Sequence, residues 1–334
     1  MTTVLVTGAA GFIGFHVCAA LLNEGHRVIG LDSVNAYYDV ALKRARIDRL
    51  AGQGTFDLIE AKIETPGVLM ELFATHGPEI VIHLAAQAGV RYSLENPMAY
   101  FETNIGGVMQ LLEAARAYPP RHMLMASSSS AYGANTAMPY REDVAADHQM
   151  SLYAATKKSG ENIAHSYAHL FDLPITMFRF FTVYGPWGRP DMAPHKFTRA
   201  ILAGESIDVY NHGDMRRDFT YIDDLVTAIL LLRDAVPAAG QRANAADSIS
   251  DVAPFRVVNI GNSDPIKLTD FIAALETATG QPAKQNLMPM QPGDVPATWA
   301  DVGLLRALTG YVPQTDLATG VGHFVDWFRD YYGR

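Results

Sequence analysis

Cysteine occurs once in the 334 residues, at Cys18, so the chain can form neither an intrachain disulfide nor a cysteine-based zinc site. A lone thiol fits a reducing compartment, and Cys18 falls on the apolar side of the first expected helix, where core packing is its expected role. Positive charge is also scarce: 26 Lys and Arg stand against 35 Asp and Glu, a net charge of −9. That balance argues against nucleic acid as the main partner, while leaving room for a local basic pocket around a small anion. No apolar run approaches the ~18 residues that a membrane span needs, so no membrane partner is expected. The chain enters a strand almost at once, which reads as the absence of a signal peptide and points to cytoplasmic residence. Internal repeats and heptad arrays are missing, and no metal is expected. With 49% of residues apolar, the composition is that of a soluble globular enzyme, built as one large core or two fused lobes.

What is present begins at the N-terminus. Residues 2–8, TTVLVTG, form a β-branched run into GAAGFIG; a helical pattern follows, then RVIGLD. Gly8, Gly11 and Gly14 fit a G-x-x-G-x-x-G turn, with Phe12 and Ile13 opening the helix. Such glycines allow a pyrophosphate to approach backbone at a helix N-terminus, whose N–H groups and dipole favour anions. Asp32, at the end of the second strand, can accept hydrogen bonds from an adenosine ribose and would repel a 2′-phosphate, which favours NAD over NADP. Asn35 and Lys43, beyond it, could touch the adenosine half. A third strand, FDLIEAKI, ends at Ile63, and a fourth, EIVIHLAAQAG, passes through Leu84, Ala85 and Ala86, small enough for a cofactor to run close to backbone. His83 inside that strand reads as a packed core histidine. Residues 98–118 read as one periodic helix, with Asn104 among apolar neighbours and therefore in need of a buried polar partner.

The fifth strand, HMLMA, runs into Ser127–Ser130, at the sheet edge where α/β ligands bind. Next comes SLYAATKKSGENIAHSYAHLF, a helix carrying Tyr153 and Lys157 one turn apart. Positions i and i+4 share a helix face. A Lys cation there can favour the phenolate of a Tyr whose ordinary pKa is about 10, and a phenol so tuned can exchange a proton with a sugar hydroxyl. A sixth strand, ITMFRFFTVYG, follows; strands alternating with helices predict a doubly wound parallel sheet of Rossmann-like type. Residues 1–183 are expected to form a cofactor domain, with 217–262 packing back onto it, and 184–334 mainly a smaller substrate-binding lobe. In the latter, GPWGRPDMAP reads as a loop, Arg216-Arg217 as part of a basic turn, and 236–254 as a flexible insertion.

GAAGFIG, the serine-rich strand end before Tyr132-Gly133, YxxxK and RRDFTYIDDLV together resemble the extended short-chain dehydrogenase/reductase family of nucleotide-sugar enzymes, over essentially the whole chain. LDSVNAYYDVALKRARI, GPWGRPDMA and MQPGDV are similar to its UDP-glucuronate 4-epimerase branch. The resemblance implies NAD as cofactor and a UDP-uronic acid as substrate. It implies Tyr153 as the acid/base, Lys157 lowering its pKa and holding the nicotinamide ribose, and Ser128 as the third hydroxyl. Ser129, Ser130 and Thr182 would line the sugar and hold its carboxylate, Phe181 would lie near the nicotinamide, Arg189 and Arg217 would meet the UDP diphosphate, and Asp294 would fall on the nucleotide side. It implies oxidation at C4 with hydride return to the opposite face. A 4-keto uronate is a β-keto acid prone to lose carbon dioxide, so the hydroxyls must orient its carboxylate away from that reaction. Sugar 4,6-dehydratases carry Asp-Glu, and uronate decarboxylases a Glu, where this chain has Ser129-Ser130; this favours plain epimerisation, with UDP-galactose 4-epimerase, decarboxylase and a non-catalytic NAD sensor as alternatives. The resemblance also implies a homodimer through the helices at 98–117 and 151–171. Lys62 stands where relatives usually place an Asp for adenine, Ser33 and Ala36 where they more often have Asn and Asp, and Ser128 replaces the commoner Thr.

Overall fold

The computed structural model describes residues 1–291 and 295–333. The chain runs β1 (Thr3–Thr7), α1 (Phe12–Asn23), β2 (Arg27–Asp32), α2 (Val40–Ala51), β3 (Phe56–Glu60), α3 (Val68–His76) and β4 (Ile80–His83). Then come α4 (Tyr92–Glu95), α5 (Pro97–Phe101), a π-turn (Glu102–Gly107), α6 (Val108–Ala117), β5 (His122–Ala126), α7 (Leu152–Phe171) and β6 (Ile175–Phe180). The remainder is β7 (Thr182–Tyr184), α8 (Ala193–Ala203), β8 (Ser206–Val209), β9 (Arg216–Tyr221), α9 (Ile222–Leu232), β10 (Phe255–Ile260), β11 (Pro265–Lys267), α10 (Leu268–Thr279), β12 (Lys284–Leu287), β13 (Ala297–Thr298), α11 (Gly303–Thr309) and α12 (Leu317–Tyr332).

Among the described residues the central sheet has seven strands in the order β10-β6-β5-β4-β1-β2-β3, all parallel. β4, β6 and β10 are buried throughout, as strands covered on both faces must be; they are mainly apolar, and the buried Arg179 of β6 and Arg256 of β10 are paired with Glu161 and Asp247. The expected Rossmann-like sheet is thus formed, and its order reverses between β1 and β4. That switch point opens a crevice at the carboxyl ends of the strands. One apolar cluster joins α1 and α9 to the C-terminal lobe; a second fills the opposite face beneath α3, α6 and α7. The smaller sheet joins β11, β9 and β13, with β7 paired to β9.

Three local expectations change. Arg216-Arg217 opens strand β9 rather than lying in a turn, because β7, β11 and β13 all hydrogen-bond to it. The stretch 98–118 is not one α-helix. It widens at Glu102–Gly107, where Ile63 takes the space a side chain at Gly107 would need (a Cβ there would lie 2.6 Å from Ile63 Cγ2). The segment 236–254 is fastened rather than free. Its buried Asp247 pairs with Arg256 at 2.9 Å, and Ser250 and the Val252 carbonyl bond to His165 and His169 of α7. A buried ion pair there does what apolar periodicity does elsewhere.

Candidate active site

The glycine turn lies between β1 and α1. Gly8 has φ +75°, and a Cβ on it would come within 2.8 Å of Ala85 N at the end of β4. A Cβ on Gly14 would lie 2.0 Å from Gly8 O, so turn and helix pack backbone to backbone. α1 starts at Phe12 with Gly11 before it and no side chain capping its first N–H groups, a terminus open to an anion. Phe12 is buried and Ile13 half-buried behind it. Asp32 accepts from Ala10 N (3.0 Å) and Val34 N (2.8 Å), which aims its carboxylate across the turn. Lys43 is buried, not solvated, and donates to Asn35 O and Oδ1 at 2.8 and 2.9 Å. Half-buried Leu84, Ala85 and Ala86 flank the crevice; Ile63 is buried, whereas Lys62 is exposed and 3.8 Å from Glu64. An uncapped helix N-terminus, glycines whose side chains would collide and an acid at the second strand end suit the pyrophosphate and ribose of a dinucleotide.

Tyr153 and Lys157 stand in the first turns of α7, whose N-cap Ser151 accepts from Ala154 N at 3.1 Å. Burial pushes the Tyr153 phenol up; a hydrogen bond to Ser128, then the charge of Arg189, pull it down. Arg189 is thus a cation acting on Tyr153 beyond the partners the sequence suggested. Lys157 points its ammonium at Ala126 O (2.9 Å), at the end of β5. Burial lowers its pKa to about 8, against the opposing charge of Glu161 one turn on. Ser128 Oγ also accepts from Ser130 N at 3.1 Å, fixing the turn Ser129–Tyr132. Ser127 faces the other way and donates to the buried Glu161 at 2.6 Å. His83 is a core residue, bonded to Thr7 Oγ1 at 2.7 Å and held neutral by burial, with its pKa lowered to about 3. Asn104 has its buried partners, accepting from Gln87 N (2.9 Å) and donating to Gln87 O and Thr156 Oγ1 (3.0 Å each).

Ser129 and Ser130 border a cavity of about 60 Å³ with Tyr140, Ala154, Val295 and Thr298. Phe181 is buried near Tyr140, and half-buried Thr182 begins β7. The two arginines have different surroundings. Arg189 pairs with Asp191 (3.0 and 2.5 Å) beside Tyr37, and its charge reaches Lys43 and Tyr153. Arg217 donates to Val295 O (2.8 Å) and Pro296 O (3.2 Å), and its charge reaches Tyr140. Asp294 lies outside the described residues. Sequence reading missed Glu161, four residues beyond Lys157, which binds Arg179 through both oxygens (2.8 and 2.7 Å). It also missed Arg46, three beyond Lys43, and Tyr100, whose ring lies 6.1 Å from that of Tyr153. Only the helical spacing from Lys157 and Lys43 could have flagged the first two.

A profile of the NAD dependent epimerase/dehydratase family matches residues 4–246. A probable UDP-glucuronate 4-epimerase of Rhizobium meliloti is 52% identical over 99% of this chain and 98% of its own length. UDP-glucuronate 4-epimerase 4 of Arabidopsis thaliana is 48% identical over 99% of this chain and 76% of its own length. The structure is similar to a Bacillus cereus UDP-glucuronic acid 4-epimerase solved with UDP-glucuronic acid and NAD, at TM-score 0.89 and 33% identity, covering 99% of this chain and 100% of that one.

Proposed function

The chain belongs to the NAD dependent epimerase/dehydratase family, and we propose that it is a UDP-glucuronate 4-epimerase interconverting UDP-glucuronate and UDP-galacturonate with a resident NAD. The observation that carries this reading is the pairing of Tyr153 with Ser128 beside two further hydroxyls, Ser129 and Ser130, with no carboxylate between Ser127 and Tyr132. A carboxylate there would supply the extra acid or base that elimination needs; hydroxyls can bind and orient a sugar without such steps. NAD, which the glycine turn and Asp32 would hold, would supply a reversible hydride acceptor for C4 of the sugar.

The chain's own residues do the rest. Tyr153 Oη takes the proton of the sugar 4-hydroxyl and later returns it. Ser128 holds that oxygen in place, and Arg189 offsets part of the burial that opposes the phenolate. Lys157, whose ammonium is held on Ala126 O, would hold the nicotinamide ribose. Ser129, Ser130 and Thr182 hold the uronate carboxylate. Arg189 and Arg217, the latter on the side of Val295 and Pro296, serve the UDP diphosphate, and Asp294 the nucleotide side. Gly8, Gly11, Phe12, Ile13, Gly14, Asp32, Asn35, Lys43, Ile63, Leu84, Ala85, Ala86, Asn104 and Phe181 form the NAD surface.

No helix among the described residues is long and apolar enough to cross a membrane; the cytoplasm is the compartment we assign. We also assign a homodimer, because Leu94, Met98 and Phe101 expose 66%, 57% and 56% of their surface on adjacent short helices.

The test is incubation with UDP-glucuronate, followed by chromatography. UDP-galacturonate is the expected product, and Tyr153→Phe should lower kcat by about 10²–10⁴-fold. A UDP-pentose product would make the enzyme a decarboxylase, and preferred turnover of UDP-glucose would make it a hexose epimerase.

A further inference from the structure

Arg46 is fully buried, yet among the described residues no carboxylate pairs with it. Its guanidinium instead collects oxygens from separate parts of the chain. Nη1 donates to Ala10 O of the glycine turn (2.9 Å) and to Tyr38 Oη (2.8 Å); Nη2 donates to Trp187 O (2.6 Å) and more weakly to Gly188 O (3.5 Å). A buried cation held only by neutral oxygens keeps a large desolvation cost, which a nearby anion would offset. The open N-terminus of α1, where such an anion fits, begins two residues after Ala10.

The loop Gly185–Met192 that Arg46 grips lies over the cofactor half. His16 Nε2 bonds to Pro186 O (2.9 Å), and the Trp187 ring packs against Phe15 (5.5 Å) and under Arg49 (5.2 Å). Trp187 has φ +61°, a left-handed conformation disfavoured for a bulky residue and kept only where surroundings enforce it. The far end is closed as well. Tyr37 Oη donates its one proton to Ala88 O (3.1 Å) beyond β4, with Asp191 Oδ2 at 3.5 Å as a weaker second acceptor of the same proton. The loop after β2, the loop after β4 and residues 185–192 are thus joined across the switch point.

We infer that residues 185–192 form a strap closed over the dinucleotide, bolted at one end by Arg46 and at the other by Tyr37, and that opening this strap sets the rate at which NAD leaves. The inference rests on the NAD-dependent reading above. An enzyme that regenerates its cofactor each cycle has no need to release it, so a bolted strap suits epimerisation better than net oxidation.

The test is exchange of protein-bound NAD against excess isotopically labelled NAD, read by mass spectrometry of the nucleotide retained after rapid desalting. Tyr37→Phe removes one hydroxyl and should exchange about five-fold faster or more; Arg46→Met should exchange about ten-fold faster or more. Should Arg46→Met fail to fold, Tyr37→Phe decides alone. Slow exchange in the native protein that Tyr37→Phe leaves within about two-fold overturns the strap and leaves the enzyme assignment standing. A native protein that neither carries nor binds NAD overturns the cofactor reading, and the strap with it.

Discussion

Tyr153 is a phenol pushed upward by burial and drawn back by one hydrogen bond and one cation, so small changes around it alter its chemistry. Glu142 illustrates the same competition without a role in turnover. Burial is the largest influence on it, the Asn259 N–H at 2.8 Å opposes that, Asp301 reinforces it, and the carboxyl rises to about 7. Because this pKa is raised on folding, the contribution to stability is complete below the ordinary carboxylate range and is lost as pH climbs through about 7. Glu142→Gln keeps an acceptor for Asn259 N but cannot ionise. We expect it to match the native protein near pH 4 and to exceed it by roughly 2 kcal/mol near pH 8, checked by denaturant unfolding at both values. The sequence marks neither effect: it gives residue types, whereas the burial that shifts them comes from chain segments far apart in sequence.

At the scale of elements, β9 carries more than its arginines. Its buried Asp218 accepts from Asn262 N (2.6 Å), Ser263 N (3.0 Å) and Ala300 N (3.0 Å), fastening the end of β10 and the residues after β13 to one strand. Asp218→Asn swaps an acceptor oxygen for an NH2 that faces backbone donors. Stability should fall by roughly 2–3 kcal/mol, seen as a lower urea midpoint with unchanged slope. Regular elements were legible where periodicity is strong: β2 spans RVIGLD, and α7 runs unbroken from Leu152 to Phe171. Legibility failed where tertiary contacts overrule local pattern. The π-turn at Asn104 lies where Ile63 leaves no room for a side chain at Gly107, β9 becomes a strand because neighbours pair with it, and 236–254 is ordered by Asp247 and Arg256.

For the whole molecule, the exposed Leu94, Met98 and Phe101 belong to the same face as the start of α7, where Leu152 is 37% exposed, so dimerisation would cover apolar surface beside the site. Phe101→Glu should convert the proposed dimer to monomer in light scattering while the circular dichroism of the fold persists; a native protein that is monomeric at every concentration would reject the assignment.

The sequence by itself determined the NAD turn, the acid at the second strand end, the Tyr-Lys helix and the serines without carboxylates, because each depends on neighbours a few residues apart. Only the tertiary structure decided that the charge of Arg189 reaches Tyr153, that Arg189 and Arg217 have different surroundings, and that Arg46 joins the glycine turn to residues 185–192. Those relations rest on contacts between distant segments, Arg46 reaching Trp187 and Gly188, 141 and 142 residues on. The spacing along a chain carries no record of which distant carbonyl a buried guanidinium will meet.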